Sequence, residues 1–172
     1  MRMIKYCVLA LAVFAAAGST SAEASPLTRW SMAAQGCVVE PGSAARLVQD
    51  AAGAIRFSGS ATGTAFVICP VAVFNVTSPR CMSLGLTSAD PDGNFNNYVR
   101  AWLNALPTGT GSVASITAIV STAHAKAFDV LAFQHVFDFD ANYYYVVVEM
   151  RRSSPTANVA FYGTLLQDMP IC

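Results

Sequence analysis

The sequence predicts an all-β domain, an antiparallel β-sandwich of about eight strands. A jelly-roll-like arrangement is the first choice and an immunoglobulin-like one the second. Three observations lead there. Apolar and aromatic residues recur with a period of two in run after run. Clusters of Gly, Pro, Asp and Asn separate the runs. No long stretch sustains a 3.6-residue period with helix caps.

Residues 1–24 read as a cleavable secretory signal. Arg2 and Lys5 supply the positive start, and Tyr6 to Gly18 carries no charge. That run is too short to cross a bilayer as a helix. Small-x-small cleavage sites follow Ala22 and Ala24, and the second is a literal A-x-A. Cys7 sits inside the apolar run with no lipobox before it. Residues 25–36 are expected to be a loosely ordered lead-in, and 37–172 a single disulfide-bonded domain. About 148 residues remain after the signal, enough for a sizeable core.

Within that domain the strands follow in order. Residues 55–58 and 64–69 flank a Gly/Ser-rich turn, and Pro70 ends the second run or places it at an edge. Residues 71–76 form a short strand or an extended link. From Cys81 onward, Met82, Leu84 and Leu86 share a face. Asp90-Pro91-Asp92-Gly93 is a turn in which proline sets φ and glycine accepts a positive one. Residues 98–106 put Val99, Ala101, Leu103 and Ala105 on one face; the other carries Tyr98, Arg100, Trp102 and Asn104. After the Pro107–Gly111 turn come strands at 113–122 and 130–139. Alanine content would permit a helical turn at 123–127. Residues 142–152 are the strongest strand, with Tyr144, Val146, Val148 and Met150 on one face. Residues 158–166 are another, and the two read as an antiparallel hairpin about Ser153–Thr156.

Losing the signal removes Cys7 and leaves Cys37, Cys69, Cys81 and Cys172. An even count in an exported chain implies two disulfides. Of three connectivities, Cys37–Cys69 with Cys81–Cys172 is preferred. Zinc is disfavoured: no two cysteines sit two to four residues apart, and the only histidines are His124 and His135. From Ser25 on there are 8 Lys and Arg against 9 Asp and Glu, with no block of one sign. Such a chain does not neutralise rows of phosphates, which argues against nucleic acid. No second stretch is long and apolar enough to be a transmembrane anchor. The location expected is secreted or periplasmic.

Few residues suggest chemistry. Asp90, Asp92 and Asn94 invite a loop calcium site, the only cofactor the sequence offers. The EF-hand form fails, because Ser88 and Val99 fall where acidic ligands belong. A plain turn is the simpler reading. His135 shares a face with Leu131, Phe133, Phe137 and Phe139, which suits a core-edge histidine; His124 has no local partner. No nucleophile motif is present, so no catalytic residue is named. Asp129, Asp138 and Asp140 could serve glycoside hydrolysis only if two converge. Arg151 and Arg152 read as solubilising a strand end. Tyr98, Arg100, Trp102 and Asn104 are the sharpest candidates: exposed aromatics stack on sugar rings, and the polar pair hydrogen-bonds hydroxyls. A cross-strand aromatic cluster is the plainer alternative.

Three functions follow. The first is a non-enzymatic exported binder of carbohydrate or an envelope component. The second is a structural subunit of an extracellular layer or filament, self-associating through sheet edges. The third is a small secreted hydrolase.

Residues 67–70 (VICP), 133–153 (FQHVFDFDANYYYVVVEMRRS) and 159–166 (VAFYGTLL) resemble a group of uncharacterised secreted bacterial all-β proteins. The resemblance covers about half of the mature chain and rests on strand patterns. It implies an exported β-sandwich and supplies no activity or site residue.

Overall fold

The structure, a computed structural model, describes residues 29–74, 80–90, 95–109 and 111–169. Eleven strands occupy them: β1 (Arg29–Ala33), β2 (Val38–Val39), β3 (Leu47–Gln49), β4 (Ile55–Phe57), β5 (Gly63–Pro70), β6 (Arg80–Asp90), β7 (Tyr98–Pro107), β8 (Ala114–Val120), β9 (His124–His135), β10 (Asn142–Arg152) and β11 (Ala160–Met169). Every pairing among them is antiparallel.

They form two sheets. Sheet A runs β3-β4-β11-β6-β9, with β1 also on β11; sheet B runs β2-β5-β10-β7-β8. From β4 onward the chain changes sheet at every connection except β7–β8. The eight strands β4 to β11 thus interleave as β4-β11-β6-β9 against β5-β10-β7-β8, a jelly roll. This matches the expected class and count, and the three short strands β1–β3 are additions at the margins. The immunoglobulin-like order is not met.

Period-two alternation sets which side chains enter the core. Met82, Leu84 and Leu86 of β6, with Phe161 and Leu166 of β11, pack against Val99, Ala101 and Leu103 of β7 and Val146, Val148 and Met150 of β10. Each fully buried aliphatic side chain contributes roughly 1.5–3 kcal/mol.

Three local expectations are corrected. β10 and β11 are not a hairpin: β10 pairs with β5 and β7, and β11 with β1, β4 and β6. Alternation shows that each buries one face, and it is silent about which sheet each joins. The loose lead-in is not found over residues 29–36: Trp30 of β1 is buried opposite Leu166, and a short 3-10 turn follows at Ala34–Gly36. The helical turn at 123–127 is absent, because β9 already begins at His124 and pairs along β6. Residues 71–74 form no strand, which agrees with the linking alternative of the expectation; residues 75 and 76 lie outside the described residues.

Cys37 and Cys69 form a disulfide with their Cα atoms 4.4 Å apart. The pairing of Val38 with Ile68 sets the two cysteines side by side. Cys81 is also disulfide-bonded. The expected partner, Cys172, lies outside the described residues, as does the signal at 1–24. Among the described residues no helix is long and apolar enough to cross a membrane.

Candidate functional site

The outer face of sheet B carries the candidate site. On β7, Val99, Ala101, Leu103 and Ala105 point into the core. That leaves Tyr98, Arg100 and Trp102 outward and half-buried. Strand pairing arranges the outer face in rows. One row reads Val38, Ile68, Val147, Trp102, Ala118; the next reads Phe66, Glu149, Arg100, Val120.

Arg100 is the centre of this arrangement. Its guanidinium carbon stands 5.1 Å from the Tyr98 ring centroid and 5.4 Å from that of Trp102. Two rings two residues away on either side, on the same strand face, thus bracket one cation. The Arg100 Nε is shielded from solvent and has no hydrogen-bond acceptor among the described residues. The Tyr98 hydroxyl donates to Glu149 Oε1 at 2.8 Å. Burial and that carboxylate raise the Tyr98 pKa, so the phenol stays protonated.

A pocket of about 350 Å³ opens at the Tyr98 end of this face. Tyr98, Arg100, Arg151 and Val120 line it from sheet B, with Asp90, Ser121 and Phe95 at its end. Phe95 is 96% exposed. Such exposure is unusual for a phenylalanine and leaves the ring free to meet a partner.

Asp90 is a supporting residue here. It is buried, and its Oδ2 accepts from the Ser121 hydroxyl at 2.9 Å. The same hydroxyl accepts from the Val99 amide, and the Ser121 amide donates to the Val99 carbonyl. The three residues therefore tie the ends of β6 and β8 to the start of β7. The other two residues of the proposed calcium loop, Asp92 and Asn94, lie outside the described residues. Among the described residues no three His, Cys, Asp or Glu side chains gather in a way that could hold a metal ion.

Asn104 departs from expectation. It shares the outer face but is only 9% exposed, between its paired residues Tyr145 and Ser115, where the β7–β8 register shifts. It is less open to a ligand than Trp102.

The three aspartates proposed for hydrolysis do not converge. Asp129 binds the Thr122 hydroxyl at 2.7 Å and His124 Nε2 at 2.9 Å. His124 therefore does have a partner, five residues along the chain. Asp138 Oδ1 accepts from the amides of Asp140 and Ala141, which is ordinary turn chemistry. Asp129 lies in the middle of β9 and Asp138 past its end, so the stretch from Asp129 to His135 alone spans on the order of 20 Å at about 3.3 Å per strand residue.

His135 is a core-edge histidine, as expected. It sits edge-on to Phe137 and Tyr144 in a cluster that includes Phe74 and Phe139. Burial lowers its pKa.

The residues missed in the sequence are Phe95, Val120, Ser121 and Arg151. They come from two connections and two strands, and no local pattern relates them. Phe95 did leave one signal, an aromatic in a polar turn-rich segment.

No family model and no curated protein matches the chain. Solved structures overlap with it in part. One is a family two carbohydrate esterase from Cellvibrio japonicus, at 14% identity and a TM-score of 0.38; the overlap covers 85% of this chain and 36% of that one. This chain therefore spans about a third of the esterase's length. Another is the carbohydrate binding module CBM6cm-2 from Cellvibrio mixtus lichenase 5A, in complex with cellotriose, at 10% identity and a TM-score of 0.45, covering 81% and 97%. A third is the CBM36-1 domain of a multidomain xylanase from the hindgut metagenome of Trinervitermes trinervoides, at 7% identity and a TM-score of 0.46, covering 80% and 95%. Likeness at these values identifies neither a family nor a ligand.

Proposed function

We propose that this chain is an exported, non-enzymatic protein that binds carbohydrate through the outer face of sheet B. The observation that carries the reading is the Tyr98–Arg100–Trp102 ladder beside a pocket rimmed by the exposed Phe95. Aromatic faces offer apolar area to the C–H faces of a sugar, and guanidinium and carboxylate groups offer polar contacts to its edge. The leader-like residues 1–24 and the Cys37–Cys69 bridge support a place outside the reducing cytoplasm. The separation of Asp129 from Asp138 and Asp140 weighs against the hydrolase alternative.

A glycan array tests the reading, with affinities then measured by calorimetry. Trp102→Ala and Phe95→Ala should each weaken binding about tenfold or more, the range of aromatic anchors at binding sites, while the melting temperature stays within a few degrees. Undiminished binding by both variants sinks this reading.

A further inference from the structure

The pocket beside Tyr98 holds two guanidinium groups, and the described carboxylates beside them, Glu149 and Asp90, are already engaged. Arg100 and Arg151 both line it. Neither forms an ion pair with another described residue. Glu149 lies opposite Arg100 in the strand register, yet its carboxylate takes the Tyr98 hydroxyl. Asp90 is buried and takes the Ser121 hydroxyl. Rings on both sides flank the Arg100 guanidinium, and its shielded Nε has no acceptor among the described residues.

We infer that the glycan taken here is acidic: a uronic acid whose carboxylate is held by Arg100 and Arg151 beside the rings of Tyr98 and Phe95. The inference rests on the carbohydrate-binding reading and adds the class of sugar. The guanidinium fork matches a carboxylate in geometry, and charge-assisted bonds are about twice as strong as neutral ones. A neutral sugar can offer only hydroxyls to the same donors. The rings supply the apolar surface that a simple anion would not use, which favours an acidic sugar over a free carboxylate. The pocket, at about 350 Å³, lies at the small end of ligand sites and suits one or two sugar rings.

The test uses the intact protein and calorimetry against polygalacturonate, alginate and glucuronoxylan. Their controls are fully methyl-esterified polygalacturonate, a neutral galactan and a sulfated galactan. The expected result is binding to at least one polyuronate, weakening as salt rises. Esterified or neutral polymers should bind at least tenfold more weakly. Arg100→Lys keeps the charge and loses the fork, and should weaken polyuronate binding about tenfold; Arg151→Gln should do the same. Circular dichroism and melting temperature establish that each variant is folded. Equal binding of the acid and its ester, or polyuronate binding unchanged in both variants, overturns the acidic assignment and leaves the carbohydrate reading standing. Tighter binding of the sulfated galactan than of any polyuronate overturns the carboxylate assignment. Failure to bind any glycan, on the array or in these titrations, overturns both.

Discussion

Arg152 holds two connections at once. Its guanidinium donates to the carbonyls of Gly59 and Ala61 before β5, and to those of Ser154 and Pro155 after β10. It is 7% exposed and lies 5.9 Å from the Phe57 ring centroid. The exposure expected at this strand end is found at its neighbour Arg151 and fails for Arg152. Its phase along β10 contained the answer: Tyr144, Val146, Val148, Met150 and Arg152 all share the inward face. Arg152→Ala should destabilise the domain by about 2–4 kcal/mol, since the carbonyls it serves lose charged donors in a shielded place. Urea denaturation measures that. His135 gives a residue-scale pH effect. Its folded pKa is depressed by burial, so the unfolded chain binds the proton more readily. Stability from this group is full above the unfolded pKa of about 6.5 and falls as pH drops through the lower folded value. Unfolding free energy should therefore decline from pH 7 toward pH 5, and His135→Gln should flatten that slope.

At the scale of elements, β11 shows how one extra residue serves the fold. The register shifts between Phe161 and Gly163, which leaves Tyr162 as the bulged residue. Tyr162 meets Lys126 and Arg56 there, and its hydroxyl accepts from Arg56 at 2.7 Å. Arg56 also pairs with Asp50, whose carboxyl it holds below its usual pKa range. Just past the bulge, β1 runs antiparallel beside β11, with Ala33 opposite Gly163. A Cβ at that position would come within 2.8 Å of the Met32 carbonyl oxygen and 3.3 Å of the Ala33 Cα. Both atoms are backbone, so the strand itself would have to move. Gly163→Val should cost roughly 1–3 kcal/mol and loosen β1. In a Trp102→Phe background, Trp30 is the remaining tryptophan and reports on β1 directly. Its emission should shift to the red in the valine variant; an unchanged spectrum and stability would contradict the close packing. Strand existence was readable for β5, β6, β7, β10 and β11, because each has one apolar face. β1 was missed because RWSMA is short and places one large apolar residue inward. The start of β9 was missed because edge strands tolerate alanines and exposed residues that weaken the alternation.

For the whole molecule, most contacts join residues far apart in the chain, as a jelly roll requires. From β4 onward, neighbouring strands in sequence other than β7 and β8 lie in opposite sheets, and strands paired within a sheet are mostly distant in sequence. By itself the sequence determined the class: alternation with turn residues makes β-structure that buries one face, and such faces need a second sheet. It also determined the outward placement of Tyr98, Arg100 and Trp102, since side chains alternate on any strand whatever its partners. The tertiary structure alone decided which sheet each strand joined, because an apolar face is satisfied equally by either. It alone decided that Asp129 and Asp138 stand apart. And it alone brought Phe95 and Arg151 beside Arg100, since a pocket is a property of distances between segments, which no period along a single strand encodes.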